Sequence, residues 1–255
     1  MQRSVFDVAQ IKPDPFPYSY ATGFLNQRWV QEALGAPLNL TQDSLIIEAN
    51  FFATGDPVRR RGIEDLGYLL SNGLKVAMVY GDRDYRCNCT LRKSSCFFCE
   101  EHLTDTCVGI GAENVSLNVQ YPQAAAFRAS GYDNITTNAS YTGGVVRQHG
   151  NFSFARVFDA GHAVSAFQPE TVYRIFMRAM FDTDVATGTV STAGNANYST
   201  HGPASSFGFK NVLPESAPPV CYLWALGITC TDDQIQAVLN GTAVMEDYVV
   251  VSPPN

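Results

Sequence analysis

Basic residues are scarce in this chain. Lysine and arginine total 17 against 24 aspartates and glutamates, a formal net charge of -7 over 255 residues. No basic stripe gathers the few there are, which argues against a nucleic-acid partner. Long apolar runs are missing too. None approaches the roughly 20 residues that cross a bilayer, so no membrane partner is expected. The start, Met1-Gln2-Arg3-Ser4-Val5-Phe6-Asp7, lacks the apolar stretch of a secretory signal. Internal repeats are absent, and so is any Gly-x-Ser-x-Gly turn of the kind that presents a nucleophilic serine. What is there, 45% hydrophobic and 12% aromatic residues, belongs to a folded globular chain. It is long enough for one large domain or for the second half of a bigger one.

Asparagine sequons point away from the cytosol. Asn39, Asn88, Asn114, Asn134, Asn138, Asn151, Asn197 and Asn240 each begin an Asn-x-Ser/Thr triplet. One such triplet is a chance event, whereas this density fits a secreted or vacuolar protein carrying N-glycans. The absent signal stretch is then a second sign that the natural N-terminus lies upstream.

Periodicity gives α/β order. Leu25, Trp29, Val30 and Leu34 recur at helical spacing over residues 22–35, with Gly35 at the place of a left-handed cap. A second helix is expected over residues 62–72, from Ile63, Leu66, Leu69 and Leu70. The short apolar run Leu74–Tyr80 follows as a buried parallel strand ending at Gly81-Asp82. A second unit repeats the pattern. Phe152–Phe158 alternates as a strand and runs into Asp159-Ala160-Gly161-His162. Pro169 and Glu170 then open a helix whose expected core face is Val172, Ile175, Phe176, Ala179 and Met180. Beyond residue 185 the Gly, Ser, Thr, Asn and Pro content reads as a long surface excursion, followed by a last helix near Asp232 to Leu239. The fold class is α/β, a mostly parallel sheet flanked by helices.

Asp84 and His162 therefore both lie on loops leaving strand ends, where open α/β sheets hold their active sites. Alone, an Asp in such a turn is more often bonded to its own backbone, and a lone His in a Gly-His turn is more often structural. Their order, Asp before His, is the order that follows the serine in α/β-hydrolases. There the His takes and returns a proton while the Asp orients and stabilises the imidazolium.

The local sequences carry the argument further. Gly81-Asp82-Arg83-Asp84-Tyr85-Arg86-Cys87-Asn88 resembles the Gly-Asp-x-Asp-x-x-Cys-Asn segment of serine carboxypeptidases. Ala160-Gly161-His162-Ala163-Val164 with Gln168-Pro169-Glu170 resembles that family's Ala-Gly-His segment. Asp14-Pro15-Phe16-Pro17, Gly23-Phe24-Leu25-Asn26 and Val146-Arg147-Gln148 make the secreted fungal branch the nearest likeness. The resemblance implies the C-terminal portion of an α/β-hydrolase fold over residues 1–255. It also implies a peptidase that removes single residues from peptide and protein C-termini through an acyl-enzyme, works best in acid and needs no cofactor and no metal. By the same resemblance Asp84 is the triad acid, His162 the triad base and Asp82 structural. Cys87 is the unpaired thiol beside the substrate side-chain pocket, and Ala163 lines the wall of the leaving-residue pocket. The family's nucleophile and oxyanion segments have no counterpart here, so they are expected before Met1, on a complementing N-terminal segment. Two departures touch the site: Ser165 stands where the family usually has Pro, and Ala163 where Met or Glu is common.

Residues 89–109 break the likeness. Cys89, Cys96, Cys99 and Cys107 with His102 permit a zinc reading or local disulfides. The favoured reading is a retained intron. Deleting the segment joins Asn88 to Ile110 and restores the family's flow through a single Trp codon, and it also discounts the Asn88 sequon. Cys221 and Cys230 are close enough to close a short loop by a disulfide in an oxidising compartment. His149 and His201 sit in polar Gly-containing loops and are expected to be solvated. Two alternatives stay open: a non-catalytic remnant that binds peptides or partners, and a hydrolase of the Asp-His-Ser order using Ser165, Ser205 or Ser206, none of which has a matching motif. As an isolated polypeptide the chain is expected to be inactive.

Overall fold

The computed structural model describes residues 4–10, 18–41, 44–55, 62–85, 87, 110–209 and 220–254. The anomalous segment at 89–109, with its four cysteines, lies outside them. The chain divides into two compact units: Met1–Ser4 with Gln10–Arg59 and Glu215–Asn255, and Val5–Ala9 with Arg60–Pro214.

The first unit is mostly helical. It opens with α1 (Tyr18–Leu25), α2 (Arg28–Leu34) and α3 (Leu45–Ala53). The helix expected over 22–35 is thus two helices. Asn26 separates them because its side chain both donates to and accepts from the backbone of Leu40, offering the chain an alternative to continued helix. Gly35 ends α2 with φ 66°, the left-handed cap that the sequence anticipates.

The second unit holds α4 (Gly62–Ser71), β1 (Val76–Gly81), α5 (Ile110–Asn118), α6 (Ala124–Ala129), β2 (Asp133–Asn138), β3 (Tyr141–His149), β4 (Phe152–Val157), α7 (Val164–Phe167) and α8 (Pro169–Met180). The first unit then closes with α9 (Leu226–Thr229), α10 (Asp232–Leu239), and the hairpin of β5 (Val244–Glu246) and β6 (Val249–Ser252). A disulfide joins Cys221 to Cys230 in that closing segment.

The four strands of the second unit run in the order β1-β4-β3-β2. β1 pairs parallel with β4, from Val76 against Phe152 to Gly81 against Val157. The pairs β4–β3 and β3–β2 are antiparallel. The sheet is therefore mixed within this chain, because the links at 139–140 and 150–151 are hairpin turns, too short for the crossover that parallel strands need. β4 has partners on both sides and is buried at all six positions. Its side chains divide between the faces with period two. Phe152 and Phe154 join Leu70, Met78, Phe127, Tyr132 and Val145 on one side, while Ala155 and Val157 join Ile135, Val146 and Ile175 on the other.

Two expectations are corrected here. On α8 the buried residues are Thr171 and Ile175, while Phe176 and Met180 are exposed. Thr171 Oγ1 shares a hydrogen bond of 2.8 Å with Thr137 Oγ1 on β2, and this turns the polar side of that stripe toward the sheet. Residues 185–209 form the surface excursion that the composition suggests, mostly exposed and without α-helix, but fastened to the sheet. Val185 N donates to Gln148 Oε1, Thr200 Oγ1 to Gly131 O, and Tyr132 N to Pro203 O, so the segment satisfies backbone and amide groups beside β3. His149 ends β3 and bridges to Ser199; it is buried, not solvated, and burial lowers the basicity of its imidazole. His201 is exposed.

Candidate active site

Parallel pairing of β1 with β4 sets their C-terminal ends side by side, so the turns that follow can be stitched together directly. Asp82 N donates to Val157 O and Arg83 N to Ala160 O, each at 2.9 Å. Ala160 N donates back to Asp82 Oδ1 at 3.3 Å. The buried Arg83 guanidinium forms an ion pair with Asp159, which sits in the turn with φ 55°. Asp82 is thereby committed to holding the two turns together.

Close backbone approach explains the glycines. A Cβ on Gly81 would lie 2.2 Å from Ala160 O, and one on Gly161 would lie 2.3 Å from Phe6 O. Only hydrogen fits at either place. The second distance involves a strand of chain that sequence reasoning did not connect to the site. Val5–Ala9 runs across both turns: His162 N donates to Phe6 O at 2.7 Å and Val8 N to Arg83 O at 2.9 Å. The Phe6 ring lies against the imidazole of His162 with centroids 5.4 Å apart. Asp7 is buried beneath; burial pushes its carboxyl above the usual range, against the pull of the Ala9 amide and Arg83. These are long-range backbone contacts, and no residue pattern announces them.

The two turns aim their side chains at one another. His162 Nδ1 stands 3.0 Å from Asp84 Oδ2. An ionised carboxylate only accepts, so Nδ1 carries the hydrogen and Nε2 is the basic nitrogen. Asp84 Oδ1 accepts from Cys87 N at 3.2 Å, and Cys87 Sγ lies 3.5 Å from His162 Nδ1. The Asp84 side chain is 4% exposed and that of His162 39%, so a shielded carboxylate orients an accessible imidazole. No described residue hydrogen-bonds Nε2. Tyr80, below the pair, has its hydroxyl pushed up by burial and by the proximity of Cys87 and Asp84.

Of the residues singled out in the sequence, Asp84, Cys87 and His162 are brought together. Ala163 follows His162 as the exposed residue preceding α7, and Ser165 lies exposed within that helix. Ser205 and Ser206 hydrogen-bond Glu113 and not His162. Among the sequons, Asn39, Asn114, Asn134, Asn138, Asn197 and Asn240 are exposed. Asn151 is half-buried, with its Nδ2 donating to Gly73 O at 2.9 Å.

A family model described as serine carboxypeptidase matches residues 2–182. Carboxypeptidase S1 homolog A of Arthroderma benhamiae is 44% identical over 251 residues, covering 97% of this chain and 35% of the relative. Carboxypeptidase Y homolog of the same organism is 44% identical over 259 residues, covering 99% of this chain and 37% of the relative. Carboxypeptidase S1 of Penicillium janthinellum is 27% identical over 172 residues, 68% of this chain. The chain thus spans about a third of the length of the curated relatives it matches.

Proposed function

The chain belongs to the serine carboxypeptidase family, and from that premise we propose that it supplies the acid–base half of a peptidase that removes single amino acids from the C-termini of peptides and proteins. The observation that carries the reading is the 3.0 Å contact of Asp84 with His162 Nδ1 at the adjoining ends of a parallel strand pair. His162 Nε2 takes the proton of a seryl hydroxyl as it attacks the scissile carbonyl and returns it to the leaving amine. Water then repeats the sequence on the acyl-enzyme. Asp84 holds the tautomer and stabilises the imidazolium. Cys87 and Ala163 border the bound substrate. The attacking serine comes from a complementing segment outside these 255 residues, since no Gly-x-Ser-x-Gly turn occurs within them.

The setting is the secretory pathway. Exposed sequons and the Cys221–Cys230 disulfide support that setting, and no described helix is long and apolar enough to cross a membrane. We read residues 89–109 as a retained intron; a transcript population in which the segment is uniformly present would count against it.

The test combines two assays. The chain is labelled with a fluorophosphonate alone and together with the N-terminal part of the Arthroderma benhamiae S1 homolog, while release of C-terminal amino acids is followed in acid. The expected result is no label on this chain alone, and label on the added segment's serine that is lost with His162→Ala. Asp84→Asn should lower turnover by about 10⁴-fold. Asp82→Asn should act mainly on stability. Labelling of a serine within this chain would refute the division of labour.

A further inference from the structure

We propose that Asp84, Cys87 and His162 form a three-ligand site for a borderline divalent cation, with Zn²⁺ as the test case. The three offer a carboxylate oxygen, a thiol sulfur and an imidazole nitrogen, and these atoms lie within 4.8 Å of one another. Zinc distances of roughly 2.0–2.3 Å to O, N and S place tetrahedral ligand atoms about 3.3–3.6 Å apart. The observed separations from His162 Nδ1 are 3.0 Å to Asp84 Oδ2 and 3.5 Å to Cys87 Sγ, and the carboxylate oxygen and the sulfur are within 4.8 Å of each other, close enough for side-chain rotation to bring all three onto one ion.

Chemistry and surroundings agree with the spacing. Thiolate and carboxylate together neutralise a dication, and mixed S, N and O donors select zinc-like ions over magnesium or calcium. The second oxygen of Asp84 accepts from the Cys87 amide, a hydrogen bond that fixes the ligating carboxylate from behind. Cys87 and His162 are exposed while Asp84 is buried, so the ion enters from solvent and keeps one position for water. On binding, the Cys87 thiol proton passes to solvent. The imidazole proton moves from Nδ1 to Nε2, freeing the Nδ1 lone pair for the metal. The binding stands apart from the carboxypeptidase reading. On that reading, the ion would also remove the basic nitrogen and act as an inhibitor.

The experiment is a Co²⁺ titration of the full chain with Cys89, Cys96, Cys99 and Cys107 replaced by serine, followed by Zn²⁺ displacement. Thiolate-to-cobalt charge-transfer absorption reports binding through sulfur, independently of any activity. One equivalent is expected to give the band. Cys87→Ser should abolish it, and Asp84→Asn or His162→Asn should weaken affinity by more than about ten-fold, with unchanged far-ultraviolet circular dichroism. In the chain with all cysteines present, Cys87→Ser should bind one equivalent less. Absence of the band at saturating Co²⁺, or a band undiminished by both Asp84→Asn and His162→Asn, would overturn the site.

Discussion

Glycine at position 81 matters because the two site turns touch through their backbones. The absent Cβ would meet the carbonyl oxygens of Ala160 and Gly161 at 2.2 and 2.4 Å, and the nearer one is held in place because Ala160 O accepts from Arg83 N. Gly81→Ala is therefore expected to destabilise by about 1–3 kcal/mol, as overpacking does. Gly62→Ala, at the start of α4 with open space around it, should be neutral or slightly stabilising. Urea midpoints of the two variants check the contrast, and equal midpoints would count against it. At this scale the sequence is legible where side-chain chemistry is local and illegible where backbone meets backbone. Asp84 and His162 could be read from short motifs at strand ends. Phe6 and Val8 could not, because they serve the site through a carbonyl and an amide N–H that almost every residue carries.

Elements with their own punctuation could be read in the same way. The helix expected near Asp232 to Leu239 is α10. Thr231 Oγ1 accepts from Gln234 N at 3.3 Å and Gln234 Oε1 accepts from Thr231 N at 3.0 Å, the reciprocal cap of a T-x-x-Q sequence. Gln234 is also buried, and its amide donates to Pro253 O. Thr231→Ala should cost about 1 kcal/mol and Thr231→Ser much less, read as thermal midpoints. Equal losses would mean that packing of the methyl group, not the capping hydroxyl, carries the stability. β2 shows the opposite case. Its Asn-Ile-Thr-Thr-Asn sequence reads as sequons, yet Ile135 and Thr137 point inward while Asn134, Thr136 and Asn138 point out. A polar outer face suits a strand at the end of a sheet row, and it leaves none of the continuous apolar run by which β1 can be read. β2 is illegible in the sequence for that reason, whereas both strands of the parallel pair holding the site, β1 and β4, are anticipated there.

At the scale of the whole molecule, proton linkage follows from groups that the fold displaces from their ordinary values. His149 is buried, its Nδ1 has no hydrogen-bond partner among the described residues, and burial lowers its pKa from 6.5. The unfolded chain therefore takes up this proton first, so stability from keeping the ring neutral is lost as the pH falls below 6.5 toward the folded value. Burial also opposes the charge on Asp184, but hydrogen bonds from Val190, Thr187 and Gly188 outweigh it and lower its pKa from 3.8. Its contribution is present above 3.8 and disappears as the pH falls through the lowered folded value. Asp7 runs the other way. With its pKa raised from 3.8 chiefly by burial, it favours the folded state at low pH, and that advantage is lost as the pH rises through the folded value. Of these three groups, His149 is the one whose ordinary value lies between neutral and mildly acid conditions. His149→Gln should remove much of the decline in urea midpoint between about pH 7 and about pH 5, even if it lowers stability at both. A decline as steep in the variant as in the parent would place the proton uptake elsewhere. This linkage reaches the site through the fold. A histidine buried neutral inside β3 then limits how far toward acid the fold that holds Asp84 against His162 can be taken, and relieving that limit should widen the acid range without touching the site.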